Sequence, residues 1–180
     1  MKNRIYIILL FIITLGLATQ AYAESAQEID IKVQASLKQF AKEVVGGEEF
    51  LKKAAGVLVF PSVLQAGLVI GGEYGEGALI VNKKTLNYYS TVAASFGWQI
   101  GAQAKSIILV FLSRAALDNF RLGDGWVAGV DGSVALIEWG TGKNINTVNI
   151  SDPIAGFVFD NKGLMVNLSL EGTKFTRIAR

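Results

Sequence analysis

The chain has 180 residues with 17 basic and 15 acidic side chains, and it contains no histidine and no cysteine. Without these residue types it has no serine–histidine–aspartate triad, no histidine-ligated zinc and no thiolate nucleophile. The composition therefore excludes most designs of hydrolases and metalloenzymes. We expect a protein that is not an enzyme and that has neither a metal site nor a cofactor.

Residues 1–23 have the organisation of a secretory signal. Lys2 and Arg4 form a basic start, residues 5–18 are apolar and uncharged, and Ala-Tyr-Ala at 21–23 fits a signal peptidase site. The apolar run is shorter than the roughly 20 residues of a membrane-spanning helix. We expect cleavage after Ala23 and a periplasmic or otherwise exported protein. It is not expected to be a lipoprotein, because no cysteine stands at the cleavage point.

Residues 24–180 are expected to form one domain of ordinary size. Lys2 and Arg4 account for the whole formal excess of positive charge, so this domain is formally neutral. A neutral domain lacks the basic surface that nucleic-acid binding requires. We therefore expect no nucleic-acid partner.

The first predicted element is an amphipathic helix that starts at Ser25. Ser25 and Glu28 have the spacing of a capping box. Apolar residues follow at helical spacing and predict one buried stripe. The stripe consists of Ile29, Val33, Leu37, Phe40 and Val44.

A short second helix is predicted over 48–55, and a buried strand over 56–61 that Pro61 closes. The glycine-rich stretch 71–77, which contains Glu73 and Glu76, is interpreted as a turn between strands. It lacks both the dinucleotide and the triphosphate fingerprint. We therefore expect no nucleotide site.

Residues 82–84 predict a turn, and residues 113–122 predict a helix capped by Ser113. Further strands are predicted at 86–94, 96–103, 106–112, 134–139, 156–160, 163–170 and 174–178, with a hairpin turn at 161–163. These elements predict an α+β fold. We expect a curved antiparallel β-sheet or partly closed barrel, covered by the N-terminal amphipathic helix and the second short helix at 113–122.

Four ordered segments, at 55–63, 71–77, 95–103 and 169–174, resemble the SYLF domain family. The resemblance implies a lipid-binding module. Eukaryotic members bind phosphoinositides and some bind actin, whereas bacterial members are stand-alone exported proteins or lipoproteins. An exported chain does not meet actin, so the resemblance implies a peripheral phospholipid partner at the cell envelope, with a phosphoinositide or another anionic head group.

Five lysines are candidate lipid contacts: Lys32, Lys38, Lys42, Lys52 and Lys53. Each lysine near an anionic membrane contributes about 1 kcal/mol to binding. The alternative for each is an ordinary solvated side chain. Two alternative functions also remain open, namely an envelope protein-interaction module and an envelope hydrolase with a carboxylate pair. The glutamates considered for that pair are Glu73, Glu76, Glu138 and Glu171.

Overall fold

The structure is a computed structural model that describes residues 24–44, 46–67, 70–96, 101–137, 152–160, 163–164 and 169–180. The predicted signal segment lies outside the described residues. The described helices are α1 (Ala26–Glu43), α2 (Gly47–Lys53) and α3 (Arg114–Arg121). The described strands are β1 (Gly56–Gly67), β2 (Ile70–Val81), β3 (Lys84–Phe96), β4 (Gly101–Phe111), β5 (Gly125–Val127), β6 (Ala135–Leu136), β7 (Ile154–Asp160), β8 (Gly163–Leu164) and β9 (Lys174–Ile178).

The strands form one sheet that curls into a half-barrel. Its order is β5-β9-β3-β2-β1-β4-β7-β6, and β8 pairs with β7 beside this path. All pairs of named strands in the described residues are antiparallel except β6 with β7. The predicted α+β fold with a curved sheet is confirmed, and the parallel β6 is a correction to its purely antiparallel description.

The two predicted covering helices lie on opposite faces of the sheet. On the α1 face, Ile29, Val33 and Phe40 pack with alternate residues of β1, β2, β4 and β7, and α2 adds Phe50 and Leu51. On the α3 face, Leu117 and Phe120 pack with the intervening strand residues. Successive strand residues point to opposite faces, so one stretch of strand supplies both cores.

α1 confirms the prediction made from its sequence. The Ser25 side chain accepts a hydrogen bond from the Glu28 amide, and the Glu28 carboxylate accepts one from the Ser25 amide. Ile29, Val33, Phe40 and Val44 are all buried. The capping box therefore fixes where the helix begins, and the apolar stripe fixes which side faces the sheet.

The central strands are longer than the sequence predicted. Pro61 does not end β1, because it lies in a bulge where the register with both neighbouring strands shifts. A bulge is where proline is tolerated in a central strand. Residues 71–77 form no turn and belong to β2. Of the predicted strand 96–103, residue 96 ends β3 and residues 101–103 begin β4, while 97–100 lie outside the described residues.

At least one glycine of β2, Gly77, is required for steric reasons. A β-carbon at this position would lie 2.0 Å from the Val59 carbonyl oxygen. No side chain fits at that separation, so β1 and β2 require glycine here to approach each other.

Towards the end of the chain, β9 and the helix capped by Ser113 match their predictions. The strand β5 was not predicted, and β6 is shorter than the predicted strand 134–139. The predictions for 138–139, 161–162 and 165–168 lie outside the described residues. The pairing of β7 with β8 agrees with the predicted hairpin on either side of 161–162.

Candidate functional site

A groove of about 610 Å³ opens between α1, α2 and the turn that joins β2 to β3. Its apolar lining includes Leu37 on α1, Leu51 on α2, and Val57 and Ile80 on the sheet. Val57 and Ile80 are buried at its floor, and Leu37 and Leu51 are half-buried and pack against the same core. The groove therefore has the size and the lining of a small-molecule site.

Lysines dominate the charge of the groove. Lys38, Lys52 and Lys83 line it together with a single acidic residue, Glu48. Lys52 lies 3.4 Å from Glu48, and both side chains are largely exposed. Such an exposed pair contributes at most about 1 kcal/mol, so it gives way readily to a stronger anion. An apolar floor with cations around it suits an amphiphile that carries a negative group.

Lys83 is held at the groove by an unusual backbone conformation. Asn82 and Lys83 have φ of 51° and 64° at the tight turn between β2 and β3. Two successive positive φ angles are typical of a two-residue hairpin turn, where asparagine and glycine are preferred. Lysine is costly there, by about 1 to 2 kcal/mol relative to glycine. The turn therefore keeps a cation at a position where glycine would be more stable.

The five predicted lysines do not form one site. Lys38 and Lys52 line the groove, whereas Lys42 and Lys53 are exposed and are not among the groove-lining residues. Lys53 lies 2.7 Å from Glu49 and lowers the pKa of that carboxyl through a hydrogen bond. Lys32 lies 2.7 Å from Glu24, near the start of α1. The structure thus brings two of the five together.

The sequence did not identify Lys83 as a site residue. It placed Lys83 in a turn, but it did not show that α1 and α2 come to lie beside that turn. The only local signal was a lysine next to asparagine in a two-residue hairpin, where a positive φ is expected.

A polar contact fixes α1 to the sheet beside the groove. Asp30 accepts hydrogen bonds from the Thr85 hydroxyl at 2.8 Å and from the Tyr88 hydroxyl at 3.0 Å. Burial, and then the bond to Asp30, raise the pKa of Tyr88 above its usual range. Tyr88 therefore stays a neutral donor at physiological pH.

Glu73 and Glu76, considered for a hydrolase, lie on opposite faces of β2 because they are three residues apart along a strand. Glu73 forms an ion pair with Lys105 at 2.8 Å on the α3 face, where both side chains are largely buried. Glu76 binds the Arg180 guanidinium on the α1 face. Glu171 is exposed in a turn, and Glu138 lies outside the described residues. Glu73 and Glu76 thus each hold a separate cation and do not share a site.

In the part of the chain that the structure describes, no three acidic, histidine or cysteine side chains are grouped as metal ligands would be. Within the same residues, no helix is both long and apolar enough to cross a membrane.

Residues 92–179 match the model of a protein family described as Ysc84, Las17-binding protein actin regulator. No curated protein matches the chain. The groove residues all precede position 92, so they lie N-terminal to the matched segment. The matched segment contains the last five residues of β3, together with α3 and the strands β4 to β9.

Proposed function

We propose that the chain is a member of the Ysc84 (SYLF) domain family, whose model matches residues 92–179 and which suggests a lipid- or actin-related binding module. On this premise we propose that it is an exported, non-enzymatic protein that binds anionic phospholipid at the cell envelope. The signal organisation of residues 1–23 supports export. Phospholipid is the ligand we favour over an actin-related partner, because an exported protein is separated from actin.

The observation that supports this proposal most is the combination of lysines and apolar residues in one groove. Phosphate would contact Lys38, Lys52 and Lys83, and acyl carbons would contact Leu37, Leu51 and Val57. Three lysines at about 1 kcal/mol each would bind an anionic surface reversibly. The neutral net charge of the domain fits this account, because the attraction is local to the groove.

Two triple variants test whether the groove itself binds the lipid. The first replaces Lys38, Lys52 and Lys83 with glutamine, and the second replaces Lys42, Lys53 and Lys84, which do not line the groove. Both remove three positive charges from nearby positions. Co-sedimentation with neutral, anionic and phosphoinositide-containing vesicles, at low and high salt, measures the binding of each.

The first variant is expected to bind anionic vesicles roughly a hundredfold more weakly, the equivalent of about 3 kcal/mol, and the second to bind nearly as the parent does. Parent binding is expected to weaken with salt. Equal losses in both variants would show that only overall charge matters, which contradicts a groove. No binding of the parent to any vesicle would overturn the proposed function.

A further inference from the structure

The α1 face of the sheet carries a patch of exposed, uncharged residues, called here the uncharged patch. Its six members lie on the four long strands and are Leu64 on β1, Gly72 and Tyr74 on β2, Val92 and Ala94 on β3, and Ala104 on β4. The register aligns Leu64, Tyr74 and Val92 in one row across three adjacent strands. These three side chains are each at least 50% exposed. Large apolar side chains are therefore grouped here, whereas exposed apolar residues elsewhere on a surface are usually scattered singly.

The charges in this part of the sheet are turned away from the patch. In the sequence, only Glu73 and Lys105 are charged among residues 62–74 and 92–105. Both side chains lie on the α3 face, where they pair with each other at 2.8 Å. Next to the patch, Glu76 is neutralised by Arg180, whose Nε lies 3.2 Å from one carboxylate oxygen and whose Nη2 binds the other. The patch therefore has no charge of its own, and the carboxylate beside it is paired.

The polar groups of β1 and β2 at the patch have partners within the protein. The Tyr74 hydroxyl donates a hydrogen bond to the Glu76 carboxylate at 2.6 Å. β1 pairs with β2 and β4, and β2 pairs with β1 and β3, so the backbones of both strands are paired on each side. A surface enters hydrocarbon at low cost only when its polar groups are already hydrogen-bonded. The centre of the patch meets this condition.

An exposed cation borders the patch. Lys174 on β9 pairs with Val92, and it points to the α1 face because its neighbour Phe175 lies in the core on the α3 face. A lysine at the edge of an apolar surface can lay its stem along hydrocarbon and keep its ammonium group among phosphates. This edge of the patch thus suits an anionic head-group layer.

We infer that the uncharged patch is a contact site for the hydrocarbon layer of an anionic phospholipid membrane. The inference rests on the phospholipid partner of the proposed function, but it uses residues outside the groove and the hydrophobic effect instead of charge.

Other occupants fit the patch less well. The patch measures about 20 by 13 Å, or roughly 250 Å², from the spacing of strands and of residues along them. A stable pairing with a second copy needs about 800 Å² on each partner. A specific peptide needs polar groups that fix its orientation, and the Tyr74 hydroxyl of the patch is already bonded to Glu76. A hydrocarbon layer requires neither a large area nor polar contacts.

Single cysteines provide a direct test, because the chain contains no cysteine of its own. Leu64→Cys and Val92→Cys place a label in the patch, and Val130→Cys places one at a residue that is 78% exposed in the turn after β5. Each cysteine is labelled with an environment-sensitive fluorophore in the whole protein. The vesicles contain phosphatidylcholine and phosphatidylglycerol, with or without nitroxide groups on their acyl chains.

We expect vesicles to shift the emission of the labels at 64 and 92 to shorter wavelength, and the nitroxides to quench both, while the label at 130 changes little. Vesicle binding without quenching at 64 and 92 would overturn the patch and leave the groove proposal intact. Failure to bind any vesicle would overturn both proposals. Labels at 64 and 92 that are already shielded from water without vesicles would show that protein covers the patch, which also overturns the inference.

A second comparison leaves the charge of the protein unchanged. One double variant combines Leu64→Gln with Val92→Gln, and its matched control combines Leu122→Gln with Val130→Gln at the exposed leucine and valine near α3 and β5. Co-sedimentation at high salt screens the contribution of the lysines. We expect the first variant to bind at least about tenfold more weakly than the parent and the control to bind as the parent does. Equal binding of both variants would contradict a contact through the patch.

Discussion

The strands β1 to β4 have two halves that differ on the α1 face. The half near the groove, called here the covered half, consists of 56–60, 77–81, 85–91 and 107–111. Its core residues on this face, such as Val59 and Ile108, are buried. The open half consists of 62–67, 70–74, 92–96 and 101–105. There Leu64, Tyr74 and Val92 lie side by side on adjacent strands and are each at least 50% exposed.

The geometry of α1 explains this difference. The helix crosses the strands, since Asp30 contacts β3 and Phe40 contacts Phe157 on β7. A helix is about 10 Å wide, whereas strands of twelve residues are about 40 Å long. One crossing helix and the short α2 therefore cover only one end of the strands. The direction of a covering helix, as much as its apolarity, therefore decides which strand residues become core.

Glycine substitutions should separate the two halves most strongly. In the covered half, Gly77→Ala places a β-carbon against the Val59 carbonyl, and we expect a loss of more than about 4 kcal/mol or failure to fold. In the open half, the nearest atom to a β-carbon at Gly72 lies 4.0 Å away. Gly72→Ala should change the free energy of unfolding by less than about 1 kcal/mol. Urea denaturation measures both, and equal effects would contradict the described register.

Large apolar side chains provide a second test. Phe40→Ala removes a buried ring that packs edge-on against Phe157 with the ring centroids 4.7 Å apart, and we expect a loss of about 3 to 4 kcal/mol. Leu64→Ala removes a side chain that is 57% exposed, and the change should stay within about 0.5 kcal/mol. A large destabilisation by Leu64→Ala would show that the open half is covered in the folded protein.

The smallest expected effect concerns the phenol of Tyr74 in the open half. Burial of its hydroxyl, and then its bond to Glu76, raise the pKa of Tyr74 to about 12 from an ordinary value of 10.0. A raised pKa means that the contribution to stability is complete below the unfolded pKa and is lost as the pH rises through about 12. Absorbance titration of the parent against Tyr74→Phe should show one phenol ionising near pH 12. Ionisation of Tyr74 near pH 10 would exclude its bond to a charged Glu76.

Sequence patterns predicted the elements whose boundaries depend on local chemistry. The capping box located α1, and the β-branched and aromatic run 174–178 located β9. The lengths of β1 and β2 could not be predicted, because Pro61 reads as an end unless a bulge is known, and the glycines of 71–77 read as a turn. The groove could not be predicted from the sequence for a further reason. Lys38, Lys52 and Lys83 lie on three separate elements, and only the packing of α1 and α2 on the sheet brings them together.

The position of β9 has a consequence for the order of folding. β9 lies between β3 and β5, and it pairs Tyr88 with Ile178 across a separation of ninety residues. During synthesis the edge of β3 therefore has no native neighbour until residues 174–178 have emerged. Contacts that are this distant in sequence form slowly, and an unpaired strand edge invites aggregation. Under the export proposed above, this interval would fall after translocation, when the last strand arrives and the half-barrel can be completed.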